Sequence, residues 1–511
     1  MQAVNILSKP CQNSLFRLKG TSMFTRSKIF IHRLRICCLG LAIGFPSAAF
    51  AGDGFRAGPI FDQFALMLDS GQRTEAAGPF FYNQEKDTEK TWAVPPLLSY
   101  DTDPAVESKE IDLLYPVLTY ECYGKEYRWQ LGQLLSFSGG QNPDDSTAKR
   151  FTLFPFYFQQ RSPNPDENYT ALFPLHGRLK NRLFRDEIFF VLFPIYGESR
   201  KRDVVTDNYL YPIFHLRHGE GLQGWQFWPL IGSEHKDVTT KTNGFGETEI
   251  IGGHDKFFML WPVHFKQTTV IGTDDPEKLS VNWPLYGALR SPKRDSTSVL
   301  WPFFTWIDDR EKKYHEWEGP YPFVVIARGE GKTTTRVFPL FSRAHNATAE
   351  SDFYLWPLYK YSRFHASALD RERTRILFYL FSSVTEKNTE TGAERKRVDF
   401  WPLFTWRHDF NGNRRLQILA LVESALPNNR GVERNWSPLW SLWRSENNPK
   451  AGAASQSFLW NLYRRDTTPV SKKCSLLFGF FQYQSDSEMK KLRLFYVPAL
   501  KWNAQTGRAV K

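Results

Sequence analysis

The chain of 511 residues carries 66 Lys or Arg against 54 Asp or Glu, a formal net charge of +12, and 16% of it is aromatic. Seven of those basic residues and no acid fall within positions 1–51; without them 59 bases face 54 acids, a net of +5. A weakly basic body with interspersed signs excludes the concentrated basic face of a nucleic-acid binder. Five Cys, three of them (Cys11, Cys37, Cys38) in the same first segment, exclude a disulfide framework or a Cys-rich metal site.

Residues 1–51 read as a secretory signal peptide. Lys9, Arg17, Lys19, Arg26, Lys28, Arg33 and Arg35 form its basic part, Ile36 to Phe45 its apolar part, and Ala49-Phe50-Ala51 its small-residue cleavage signal. The apolar run is half of the roughly 20 residues that a spanning helix needs. The basic part is long, and a start at Met23 would leave residues 1–22 untranslated and a leader of ordinary length. The mature chain, 52–511, is expected as a single repeat-built β domain in an oxidising compartment. Its two remaining thiols, Cys122 and Cys474, are expected as unpaired packing residues.

From there an aromatic residue followed by proline recurs inside short apolar runs. The prolines are Pro116, Pro155, Pro174, Pro194, Pro212, Pro229, Pro262, Pro284, Pro302, Pro322, Pro339, Pro357 and Pro402, most of them 17 to 22 residues apart. Such a period marks a repeat architecture. Degenerate copies fill the gaps: Leu134-Leu135-Ser136-Phe137 with Ser in the proline slot, Leu377-Phe378-Tyr379-Leu380-Phe381, Leu459-Trp460-Asn461-Leu462-Tyr463 and Leu477-Phe478-Gly479-Phe480-Phe481. Weaker ones lie at Gly78-Pro79-Phe80-Phe81, Val94-Pro95-Pro96-Leu97, Ile418-Leu419-Ala420, Trp436-Ser437-Pro438-Leu439 and Tyr496-Val497-Pro498. Positions 233–256, polar and rich in Gly and Thr, break the series.

Each repeat of about 19 residues is expected to supply one strand of about 11 residues and one turn. A central proline excludes helix for most repeats, and short turns make neighbours antiparallel. The fold class expected is all-β: an antiparallel β-meander of about twenty strands, closed into a large β-barrel, or alternatively a curled or layered soluble sheet or a propeller-like ring. In Leu300 to Ile307, alternation places Leu300, Pro302, Phe304 and Trp306 on one face and Trp301, Phe303, Thr305 and Ile307 on the other. Small or polar residues (Gly177, Gly197, Gly287, Ser342, Thr405) follow the apolar centre, giving an aromatic belt with polar margins. Prolines in that belt would cost every second strand interface two ladder bonds, with bulges or bends to compensate.

No G-x-S-x-G, H-E-x-x-H or C-x-x-C motif occurs. Gly329-Glu330-Gly331-Lys332-Thr333 imitates the end of a phosphate loop, but Ile326 holds the place of the earlier glycine and the segment joins two strands, so it reads as a hairpin turn. No catalytic residue, cofactor or metal site is assigned. Trp225, Trp228, Trp261, Trp283, Trp301, Trp306, Trp356, Trp401 and Trp406 could stack on sugars, but their regular placement reads as belt packing or lipid contact. The leading expectation is a non-enzymatic outer-membrane envelope protein with membrane lipid as partner. The alternatives are a soluble periplasmic or surface scaffold that binds a small molecule or glycan, and a secreted glycan-active enzyme. For the enzyme, Asp308, Asp309, Glu316 and Glu318 are the first acids to test.

Overall fold

The computed structural model describes residues 56–140, 148–242, 248–497 and 499–503; the leader and its alternative start lie outside the described residues. These residues form 45 strands, of which 43 make one antiparallel sheet and two, Thr239–Thr242 and Thr248–Ile251, pair only with each other. The sheet is not closed: Phe61–Ala65 is laddered to Gly71–Ala76, and Leu500–Asn503 to Met489–Leu494. Two compact units are present, residues 56–127 with 430–503, and residues 128–429.

Each repeat supplies two short strands in place of one long strand, and the aromatic–proline pair sits between them. Arg185–Val191 leads into Leu192-Phe193-Pro194-Ile195, then come Tyr196–Lys201, the two-residue turn Arg202-Asp203 and Val204–Tyr209. Proline brings no N–H to a ladder, so the local optimum is to leave the strand. The Phe193–Pro194 peptide is cis, as are the other twelve aromatic–proline bonds of the series. With Pro at the third position and Ile195 N–H donating to Leu192 O at 2.8 Å, the four residues make a type VI turn. Leu192 takes φ +46°, and Leu210, Leu260, Leu300, Leu355 and Leu377 stand alike at their turns.

The degenerate copies keep the geometry without proline. Leu380 donates to Leu377 O at 3.1 Å, Leu462 to Leu459 O at 3.0 Å and Phe480 to Leu477 O at 2.9 Å. One copy is displaced: the turn closes between Leu131 and Leu134, so Gln133 holds the proline slot and Ser136 lies in the strand Leu135–Gly139. Trp436 to Leu439 departs altogether, lying at the short helix Ser437–Trp440 that follows Arg430–Asn435. Positions 233–256 break the series with the separately paired strands Thr239–Thr242 and Thr248–Ile251, while the flanking strands Ile231–Lys236 and Gly253–Met259 pair directly.

The lost ladder bonds expected at a proline line do not occur, because the ladder runs on into the turns. Phe193 N–H donates to Pro174 O at 2.7 Å, Tyr211 to Pro194 O at 2.7 Å and Trp356 to Pro339 O at 2.7 Å. Face assignments change with the turns. Leu300 to Phe303 lie outside the strand, and in Phe304–Asp309 the residues Thr305, Ile307 and Asp309 are buried while Trp306 faces out. The small residues acquire a reason. A Cβ on Gly287 would stand 2.4 Å from Cδ1 of Trp301, and one on Gly232 would stand 2.3 Å from Cε1 of Phe258, so these places are vacated for aromatic rings. Neither Cys122 nor Cys474 is joined in a disulfide, and the buried Cys122 Sγ donates to Gly124 O at 3.6 Å.

Candidate functional site

In residues 128–429 the two-strand repeat has a geometric consequence. Successive apolar turns are separated by two strands, so antiparallel pairing returns all of them to the same edge of the sheet. The opposite edge receives turns that are mostly polar, such as Arg202-Asp203 and Glu220-Gly221, the latter with both φ positive, as a tight hairpin requires; Leu183-Phe184 is an apolar exception there, with both side chains exposed. The apolar edge is built in two layers. Aromatics of successive turns meet along two stretches of it: Phe173–Phe193 at 5.5 Å between ring centres and Phe193–Tyr211 at 5.7 Å, then Phe338–Trp356 at 5.6 Å and Trp356–Phe378 at 5.5 Å. Outside that row the aliphatic residues project into solvent; Leu175, Leu192, Ile195, Leu230, Leu340 and Leu403 are all exposed, and Leu285 is 66% exposed.

Behind this rim an apolar cluster of Tyr169, Ala171, Leu179 and Phe190 is buried, while other strands are polar on both faces. In Leu369–Ile376, Arg371, Arg373 and Arg375 take one face and Asp370 and Glu372 the other. Cross-strand ion pairs occupy both: Arg363 holds Asp370 with two hydrogen bonds of 3.0 and 2.6 Å, and Arg371 lies 3.3 Å from Glu386. All thirteen prolines of the series lie in apolar turns of this kind; Pro116 belongs to residues 56–127 and the other twelve to 128–429.

In residues 56–127 with 430–503 the notable feature is a buried ionic core. Glu75 accepts from Arg73 at 2.8 Å, from both Nη atoms of Arg444 at 3.1 Å and from Asn461 at 2.6 Å. Nearby, Arg56 donates to Asp466 at 2.6 Å, and Arg464 lies 3.0 Å from the same carboxylate with its guanidinium 3.2 Å above the Phe64 ring. A second node joins Arg434 to Asp112 at 2.5 Å and Glu110 at 2.8 Å, with Asn435 and Ser99 also donating to Asp112. Residues more than 300 positions apart in the chain meet here, and their ion pairs hold the unit together.

Two of its buried carboxylates, Glu75 and the Asp62 beside Arg56, respond to acid in opposite senses. Burial pushes the Asp62 carboxyl up to about 6, more than the nearby Arg464 and Arg56 draw it down, and neither of its oxygens has a hydrogen-bond partner. Burial also raises Glu75, but Arg444, Arg73 and Arg464 together outweigh it and hold the group at about 2. Burial draws the Arg444 guanidinium below its ordinary value. It stays charged, because the carboxylate lies against both Nη atoms. Glu75 therefore contributes stability that is complete above pH 4.5 and lost as pH falls through 2. Asp62 carries a penalty absent below pH 3.8 and complete above 6, worth about 3 kcal/mol at 1.36 kcal/mol per unit. Urea midpoints of this unit are expected to peak between pH 4 and 5 and fall towards pH 7.5, and Asp62→Asn to remove the fall. A wild-type midpoint level from pH 4.5 to 7.5 refutes the assignment.

The acids singled out in the sequence come together on two strands but not on one face. Asp308 lies opposite His315 on the outer face, 3.0 Å from its Nδ1. Asp309 and Glu316 are buried on the other face, where Glu316 accepts from Lys332 at 2.6 and 2.9 Å. Glu318 is raised by burial first and by Glu316 second. Sequence reasoning missed Trp317, which lies directly opposite Trp306, and the whole ionic core. Among the described residues no helix is long and apolar enough to cross a membrane, and no cluster of His, Cys, Asp or Glu is arranged to hold a metal ion. Compared with models of known protein families and with curated proteins, the chain matches none.

Proposed function

We propose that this protein is a non-enzymatic, exported envelope scaffold that seats its apolar rim edge-on in a lipid surface. The observation that carries this reading is the return of the aromatic–proline turns and their proline-free copies in residues 128–429 to one edge. From Phe154 to Trp401 the rim follows roughly 120 Å of sheet at about 4.8 Å per strand. Exposed apolar surface on that scale marks an interaction face, and its length and uniformity suit a planar, laterally uniform partner better than one globular protein. Trp and Tyr in the inner row with Leu and Ile outside it is the composition that settles at a bilayer interface. Export follows from the leader read at 1–51.

Edge-on seating is favoured over a spanning barrel by strand length and charge. Spanning strands take about 9–11 residues and present an apolar outer band, whereas strands such as Tyr196–Lys201 have six residues and Leu369–Ile376 is charged on both faces. The test is flotation of the purified protein with phosphatidylcholine–phosphatidylglycerol vesicles. Co-flotation that persists in about 1 M salt, where surface charge is screened, is the expected result. Protein left at the bottom of the gradient, with or without salt, overturns the proposal.

A further inference from the structure

We infer that the outer face of strands Arg294–Val299, Phe304–Asp309, Tyr314–Glu318 and Val324–Gly329 is a binding platform for a neutral oligosaccharide. The strand register sets Thr297, Trp306, Trp317 and Ile326 in one cross-strand row. Two residues along, the same register sets Asp295, Asp308, His315 and Arg328 in a parallel row on the same face. A concavity of about 560 Å³ lies over both rows, within the size range of ligand pockets. Side by side are therefore an apolar shelf of two indoles and a line of hydrogen-bonding groups.

Packing does not account for the indoles. Trp306 is 49% exposed. The third residue after the other apolar turns ranges from Glu198, Ser233, Lys266 and Ala288 to Tyr361 and Trp406, so the repeat itself does not dictate a ring there. The polar row is held in place before any ligand arrives. Arg328 donates to Ala327 O and Thr334 O at 2.7 Å and to Thr335 Oγ1 at 2.8 Å, and Asp308 lies 3.0 Å from His315. Asp295 is paired with Arg310 at 3.0 Å.

Those pairings select the ligand class. The charges in the row are largely matched, so neither an anionic polymer nor a cation gains a decisive attraction. A saturated hydrocarbon would leave the polar row without ligand partners. A pyranose presents an apolar C–H face that fits an aromatic ring and a margin of hydroxyls that fits fixed donors and acceptors. Hydrolysis is not part of the inference. The two acids of a glycosidase flank one bond, whereas Asp308 and Glu316 occupy opposite faces of the sheet and Lys332 holds the latter.

The experiment is titration of the full-length protein with cello-, chito-, malto- and mannohexaose, followed by calorimetry and tryptophan fluorescence. At least one is expected to bind with a fluorescence change that survives about 0.5 M salt. Trp306→Ala and Trp317→Ala are each expected to weaken it about tenfold or more, Trp306→Phe less than the alanine change, and Trp225→Ala not at all. Failure of every hexasaccharide to bind, binding abolished by salt, or binding unchanged in the Trp306→Ala/Trp317→Ala double variant overturns the inference.

Discussion

Replacing Leu230, Leu285, Leu358 and Leu403 together by glutamate is expected to release the protein from vesicles, lowering its apparent affinity at least a hundredfold. These four project from the rim into solvent. Their hydrogen bonds are backbone ones: the N–H is given to Phe227 O at 2.8 Å, Asn282 O at 2.8 Å, Leu355 O at 2.7 Å and Phe400 O at 2.6 Å, and the carbonyl accepts from Leu260, Leu300, Leu377 and Leu419. Glutamate keeps those bonds. Full burial of a Leu side chain is worth about 1.5–3 kcal/mol, so even half-immersion of four amounts to about 3–6 kcal/mol. At 1.4 kcal/mol per tenfold, that is two decades or more before the cost of placing carboxylates at the lipid surface. Flotation and circular dichroism on the same sample separate lost binding from lost folding. An unchanged spectrum with flotation within threefold of wild type would remove the rim from any role in seating.

The second large effect lies in residues 56–127 with 430–503. Arg434→Met is expected to destabilise that unit by about 3–5 kcal/mol, because it removes one partner of a buried charge cluster and leaves the others uncompensated. Arg434 is 10% exposed as a side chain and lies 2.5 Å from Asp112, 2.8 Å from Glu110 and 3.6 Å from Asp101; Asp112 and Asp101 are themselves buried. Methionine fills much of the volume, so the loss reports charge and not cavity. Adding Asp112→Asn is expected to restore a substantial part, since Asn435 and Ser99 then face a neutral amide. Urea unfolding read alongside limited proteolysis measures both. A single-variant loss below about 1 kcal/mol, the range of an exposed pair, would demote this node to a surface contact.

These two regions differ in how far the chain announced them. The rim was half legible. The period, the antiparallel order, the polar hairpin tips and even the proline-free copies at Leu377, Leu459 and Leu477 all follow from residues within a few positions of each other. What misled was the centre of each repeat. An apolar run such as Leu300 to Ile307 satisfies strand alternation throughout, and nothing local says that its first four residues turn. Leucine disfavours positive φ, yet Leu300 sits at φ +49° and Leu355 at φ +46°, so residue preference argued against a turn at that point. Halving the strand doubled the strand number and moved the aromatics from a mid-sheet belt to an edge.

The ionic core was illegible for a different reason. Glu75 and Arg444 are ordinary strand charges in sequence, as are Asp112 and Arg434, and each reads as solvated until its partner is known. The Trp306–Trp317 shelf lies between: alternation puts each ring on a face, but only strand register puts the two rings opposite each other.

By itself, then, the amino-acid order determined an all-β antiparallel repeat with polar hairpin tips, because hairpin chemistry and side-chain alternation are written over spans of six to ten residues. Tertiary structure alone decided that the aromatic–proline pairs turn, that the sheet stays open, and which charges are buried. Each of those depends on how strands register and on what distant segments exclude from water, and burial is a property of the assembled sheet that no single repeat carries.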